Sequence, residues 1–227
     1  MRFRSLNAAQ RKYALIASMV LATTVPGCLS AGRGVQHLYR DPPRALADVD
    51  WEPANSAVAR LQSGKASDCR SVETDIRAAP TRYSPPALYA LSECLFEMGR
   101  RQEASFWFYA GQLRARFDAN RSADESSGAV VDLLNDRYGP KINPWAFGDL
   151  QRLAATVDEV LKWDEATPHH YDPRWINMLS LHAYESPDFA GPFTKPETEW
   201  HAIGERTRAE YRQGFENAVK LLREHAV

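Results

Sequence analysis

Long apolar runs are nearly absent from this sequence of 227 residues. One stretch, Ala14–Val25, is uncharged for 12 residues, and no other run approaches its hydrophobicity. Twelve residues cover about 18 Å of helix, short of a bilayer core of about 30 Å, so no permanent membrane-spanning helix is expected. An excess of one charge is also missing: 28 Lys+Arg stand against 29 Asp+Glu, a formal net charge of −1. Strand signals are lacking, since no alternating run of β-branched and aromatic residues is bounded by turn residues. The common catalytic and nucleotide signatures are missing too. There is no Ser flanked by the glycines of a nucleophile elbow, no His-Glu-x-x-His and no dinucleotide-binding glycine fingerprint. Gly64-Lys65-Ala66-Ser67 lacks the upstream glycine and preceding strand of a phosphate-binding loop. What remains is 44% apolar and 25% charged, ordinary usage for a globular domain. Collagen, coiled-coil rod and wholesale disorder are excluded.

The N-terminus carries Arg2, Arg4, Arg11 and Lys12 with no acid before the Ala14–Val25 run. A basic segment followed by a short apolar one is the layout of a secretory signal, here expected over residues 1–27. Its end, Val25-Pro26-Gly27-Cys28, resembles the lipobox of bacterial lipoproteins, with Pro26 where a small residue is usual. The resemblance implies that Cys28 is diacylated and becomes the mature N-terminus, the thiolate being the nucleophile suited to that transfer. Leu29 rather than Asp follows the cysteine, which in that family favours the outer membrane. The resemblance therefore implies a lipid-anchored protein of the bacterial envelope, its domain in the periplasm. The other reading of Cys28 is an incidental residue after a soluble secretory signal.

Removing the four basic residues of 1–27 leaves 24 of the 28 against 29 acids, a mature charge near −5. That balance argues against nucleic acid as a partner, because phosphate binding needs clustered Lys and Arg. Arg100, Arg101, Arg114, Arg116 and Arg121 do lie close together, but Glu97, Glu103 and Asp118 are interleaved with them. The mixture reads as a solvated helix face with i,i+4 pairs. With Cys28 lipidated, Cys69 and Cys94 remain. In an oxidising compartment they can bridge, closing a loop of about 25 residues for roughly 3 kcal/mol in the chain-entropy model. The alternative is two buried free thiols.

Residues 28–50 read as a flexible tether, broken by Gly32, Gly34, Pro42 and Pro43. An all-α domain of about seven helices is expected over 51–227. Pro53 opens a helix through Leu61, and Asp68 caps one over 69–78. Ser84, Pro85 and Pro86 start a third, with Leu88, Leu91, Leu95 and Met98 on one stripe and Gly99 as its stop. A fourth runs from Arg100 to Phe117. Residues 122–138 give a fifth, ended by Gly139-Pro140. Lys141–Asp149 reads as a loop, and Asp149 caps a helix over 150–165. Asp172-Pro173 opens another, and residues 186–196, with three prolines, read as a loop. A long final helix follows Pro196 to about His225, with Trp200, Ile203, Thr207, Tyr211, Phe215, Ala218 and Leu222 on its core face.

Leu88, Leu91, Leu95, Gly99, Glu103-Ala104, Phe108 and Gly111 resemble one tetratricopeptide (TPR-type) repeat over residues 84–117. The resemblance implies an αα-hairpin in which Gly99 lets the helices turn and Ala104 permits their close approach. A single copy is no solenoid, since about three are needed for stability.

These features favour a non-catalytic protein-binding module, either an envelope adaptor or an immunity-type protein that neutralises a toxin. The partner protein is unidentified, and no cofactor or metal is expected. Consecutive Phe106, Trp107, Phe108 and Tyr109 point nearly all round one helix, which means burial or a partner. Trp145, Phe147 and Asn143 in the 141–149 loop form the candidate partner surface, with Trp107 of the aromatic run a further candidate, because aromatics held on loops are favoured in recognition. The other reading is that Trp145 and Phe147 fold down as a hydrophobic plug between helices. The rival reading is an envelope enzyme with a site assembled around His169, His170 and Asp172, with Glu185 nearby.

Overall fold

The structure is a computed structural model that describes residues 44–180 and 191–224; Cys28 and Glu185 lie outside them. The fold is all-α. Among the described residues seven α-helices follow one another: α1 Glu52–Leu61, α2 Ala66–Ala78, α3 Pro85–Glu97, α4 Arg101–Arg121, α5 Gly128–Ala146, α6 Leu150–Ala166 and α7 Glu197–Glu224. Short 3₁₀ segments, Arg44–Leu46, Pro80–Arg82, Glu125–Ser127 and Pro173–Leu179, join or flank them. An isolated bridge between Ser122 and Thr194 is the sole β-type pairing among the described residues.

Helix α4 is the axis of the domain. It packs against α3, α5, α6 and α7. Its buried residues run all the way round, including Ala104, Trp107, Phe108, Tyr109, Leu113 and Ala115. A helix that is apolar on every side belongs in the middle, which decides between the two readings of the Phe106–Tyr109 run. The charges of this helix correct the sequence reading. Arg114, Asp118 and Arg121 are not a solvated face; their relative exposures are 0%, 1% and 1%.

The α3–α4 hairpin forms as its residues imply. Gly99 takes a φ of +80°, a left-handed conformation that costs an L-residue energy. The Gly99 amide donates to Phe96 O at 3.0 Å and the Arg100 amide to Leu95 O at 2.9 Å, the paired bonds of a Schellman stop. Gly111 lets the helices meet: a Cβ there would stand 3.0 Å from Tyr89 Cδ2 and 3.3 Å from Leu88 Cβ. Cys69 of α2 is disulfide-bonded to Cys94 of α3, their Cα atoms 6.1 Å apart. Arg100 adds ion pairs to Glu73 of α2 and to Glu103.

Several boundaries differ from the sequence reading. Helix α2 begins at Ala66, with Lys65 at the cap position; Asp68 sits in the first turn and accepts from Ser63 Oγ at 2.7 Å. Helix α4 continues four residues past Phe117. Helix α5 begins at Gly128 and runs through both Pro140 and Pro144 to Ala146. Those prolines are four apart and both exposed, so the carbonyls left without a helical donor face water. The opposite face carries buried Leu134, Tyr138, Ile142 and Ala146, whose packing holds the helix together. The expected 141–149 loop is therefore mostly helix. Asp149 does cap α6, accepting from the Arg152 amide at 2.9 Å. Asp172 caps as expected, but what it opens is the 3₁₀ segment Pro173–Leu179.

Residues 44–50, expected as tether, are instead part of the domain. Leu46 and Val49 are buried with Met178 in a small second core, flanked by Trp51 and Phe193. Asp48 pairs with Arg174 at 3.0 Å.

Candidate functional site

Three polar features stand out, and they differ in whether their groups are already partnered. The first is an ionic cluster where α4 meets α6, α7 and the segment 167–177. Arg114, Asp118 and Arg121 recur at intervals of four and three, so α4 presents them along one side. Arg114 Nε lies 3.3 Å from Asp164 Oδ1, and its other nitrogens donate to Pro80 O at 3.2 Å and Thr167 O at 2.9 Å. Asp118 accepts from Arg121 at 2.6 Å, from Tyr171 Oη at 2.9 Å and from Trp175 Nε1 at 2.7 Å. Asp164 also faces Arg208 of α7 at 3.2 Å and His169 Nε2 at 2.9 Å. Burial alone would push the Asp164 carboxyl up. The His169 hydrogen bond, with the Arg114 and Arg208 charges, outweighs it and holds the group below its ordinary value. Burial pushes the His169 imidazole down, only partly offset by Asp164, so the ring is neutral at pH 7. Neutral His169 then donates through Nε2 while its ring stacks on Tyr171.

The second feature is a string of buried amides and phenols. Tyr89 Oη and Gln112 Nε2 both donate to Asn135 Oδ1 at 2.8 Å, and Tyr211 Oη donates to Gln112 Oε1 at 2.7 Å. It ties α3, α4, α5 and α7 together around the axis helix. Burial raises the phenols well above their ordinary value or, for Tyr211, simply above it, so they stay protonated donors.

The third is an open cleft of about 260 Å³ beside α1, α2 and the Pro80–Arg82 segment. Its floor includes Ala57 and Val72, and Glu52, Arg82 and Tyr83 are on its lining. Sequence reasoning missed it. These residues are far apart in the chain, and no spacing pattern connects them.

The residues singled out from the sequence are dispersed. Trp107 is 2% exposed, its ring against Phe106 and Trp163, and is out of a partner's reach. Asn143 is committed inward, accepting from Tyr109 Oη at 3.1 Å. Trp145 and Phe147 are half-buried and pack on the main core, with the Arg152 guanidinium 3.9 Å above the Trp145 ring. These four do not make one exposed aromatic loop. His169, His170 and Asp172 do not converge either. His169 is held by Asp164, His170 is exposed, and Asp172 pairs with Arg174 at 2.6 Å. Among the described residues no three His, Cys, Asp or Glu side chains are arranged to hold a metal, and no helix is long and apolar enough to cross a membrane.

Comparison with known proteins adds one distant relative. The chain is 29% identical over 92 residues to an uncharacterised protein of Haemophilus influenzae, a stretch covering 40% of this chain and 36% of the relative. The match thus spans about a third of that protein's length. No protein-family profile and no solved structure matches the chain.

Proposed function

We propose that the chain is an envelope lipoprotein, anchored through Cys28 to the bacterial outer membrane, whose helical domain in the periplasm binds a protein partner. The observation that carries the compartment is the Cys69–Cys94 disulfide. Disulfides persist in oxidising compartments, and this one sits behind a leader of the secretory layout and a lipobox-like cysteine. The binding role is supported by the way the interior is used. Its buried charges, Arg114, Asp118, Arg121 and Asp164, are spent on one another and on the backbone, as in a rigid support rather than a reacting centre. The TPR-like hairpin offers a helical scaffold of the kind that repeat families use for peptides and proteins. Residues 28–43 supply the spacer, shortened at its C-terminal end by the packing of 44–50.

The test is metabolic labelling of a bacterial host expressing the chain with an alkyne palmitate analogue. The wild type takes up label and sediments with the outer membrane, and Cys28→Ser loses both. Equal labelling and sedimentation of the two proteins would sink the reading.

A further inference from the structure

The cleft beside α1 and α2 differs from the other polar features in holding charges with no partner. Arg60 and Asp75 on its lining neutralise each other at 3.2 Å, and Arg60 also donates to Ser71 Oγ at 2.7 Å. That leaves one cation, Arg82, and one anion, Glu52. Among the described residues neither side chain has an ion-pair or hydrogen-bond partner, and the Tyr83 hydroxyl has none either. Tyr83 is on the same lining, and burial and the Asp75 charge push its phenol up, so it is available as a protonated donor. Ala57 and Val72 are the buried apolar residues of its lining, and the charged groups stand around them, so the cleft is open and mainly polar. The volume of about 260 Å³ lies below the roughly 300–1,000 Å³ of drug-sized pockets, so the occupant is small.

Charge balance selects its class. The lining holds two arginines and two carboxylates, a formal sum of zero. A simple anion drawn to Arg82 meets Glu52 and Asp75, and a simple cation drawn to Glu52 meets Arg60 and Arg82. A net-neutral molecule carrying both charges satisfies both free groups at once. We infer that this cleft binds a small zwitterion of the amino-acid or dipeptide class, its carboxylate on Arg82 and Tyr83 and its ammonium on Glu52. The site goes beyond the lipoprotein reading and stands independently of it, since it uses no residue of the anchor or leader.

The experiment is titration calorimetry on the full chain in detergent, against the free amino acids and simple dipeptides, each paired with its N-acetyl and C-amide forms. At least one free zwitterion binds saturably. Blocking either end weakens it by at least about tenfold, as expected for loss of a charge-assisted hydrogen bond. Glu52→Gln removes the discrimination against the N-acetyl form, and Arg82→Gln removes that against the amide. Both residues are exposed, so the variants keep the fold, checked by circular dichroism. No binding by any free amino acid or dipeptide, blocked forms binding as well as free ones, or variants binding like wild type would each overturn the assignment. None of these outcomes bears on palmitate labelling.

Discussion

Helix α4 makes two seams that hold by different physics. Towards its N-terminal half it meets α3 through Gly111 and Phe108, a contact of shapes with Tyr89 edge-on to Phe108 at 5.3 Å. Along its C-terminal half it meets α6 through Arg114 and Asp164, the 167–177 segment through Asp118 with Tyr171 and Trp175, and α7 through Arg121, whose guanidinium lies 4.5 Å from the Trp200 ring centroid, a seam built on charged groups. The apolar seam was visible in the sequence because its residues repeat every three or four positions and end at a glycine. The ionic seam was hidden. In sequence its residues look like any solvated i,i+4 face, and only the elements packed over them turn surface charge into interior charge. An arginine's helical neighbours do not reveal which side of the helix will be covered.

The comparison breaks most sharply at Asp118. This buried carboxylate takes donors from Arg121, Tyr171 and Trp175, so Asp118→Ala leaves a cation and two polar donors without their acceptor. Breaking a buried pair on one side costs about 3–5 kcal/mol, and urea denaturation followed by circular dichroism measures it. If Asp118→Ala loses less than about 1 kcal/mol, the ionic seam is solvated and the contrast between the two halves of α4 fails.

On the apolar side the largest single constraint is covalent. The cysteines are 25 positions apart, and a loop of that length corresponds to about 3 kcal/mol in the chain-entropy model. Reduction is therefore expected to lower the unfolding temperature clearly, and a Cys69→Ala/Cys94→Ala variant to melt like the reduced protein. Quantitative alkylation of both thiols under denaturing, non-reducing conditions would show that they are unpaired. The same seam has a smaller lever at Gly99. Its φ of +80° is disfavoured for a residue with a Cβ, and Gly99→Ala is expected to cost about 1–2 kcal/mol without changing the oligomeric state or the helix content.

Acid separates the seams without mutation. His169 has its imidazole lowered by burial, with Asp164, Arg114, Asp118, Arg208 and Tyr171 around it. A histidine lowered in the fold binds its proton more readily when unfolded. Its contribution is fully present above the unfolded value near 6.5 and is lost as pH falls from there toward the depressed folded value. Asp164 is held below its ordinary value of 3.8, so its contribution persists to lower pH and is lost as pH falls through its folded value. Melting temperature should decline between pH 7 and 5, and His169→Gln should flatten that decline. An unchanged slope in His169→Gln would assign the decline to other groups.

The sequence misled where one rule was applied without its exception. Gly139-Pro140 looked like a stop, yet Leu134, Tyr138, Ile142 and Ala146 repeat every four residues straight through it. That spacing, with Pro140 and Pro144 also four apart, was the readable sign of a helix continuing with its prolines on the wet face. The cap of α6, the Gly99 turn and the stripe of α7 were legible because each depends on a few neighbouring residues. The cleft was not. Glu52 and Arg82 belong to different elements, and only the packing of α1 against α2 and of both against the hairpin places them on one lining.

The finest test sets one contact against its twin. Arg114 stands 4.2 Å from the Trp163 ring centroid in the buried cluster, and Arg152 stands 3.9 Å from the Trp145 ring at the half-buried end of α5. The geometry is nearly the same, but the surroundings are not. Water screens Arg152, which also donates to Trp145 O at 3.2 Å and lies 3.5 Å from Asp149. A double-mutant cycle on Trp145→Leu and Arg152→Met is expected to give a coupling of about 0.5–1 kcal/mol, the range for cation–π pairs at exposed sites. The matching cycle on Trp163→Leu and Arg114→Met should give about 2 kcal/mol or more, because there the cation is desolvated. Equal couplings at the two sites would mean that burial adds nothing to the attraction. The ionic end of α4 would then hold by its salt bridges and hydrogen bonds, with no added contribution from the aromatic ring.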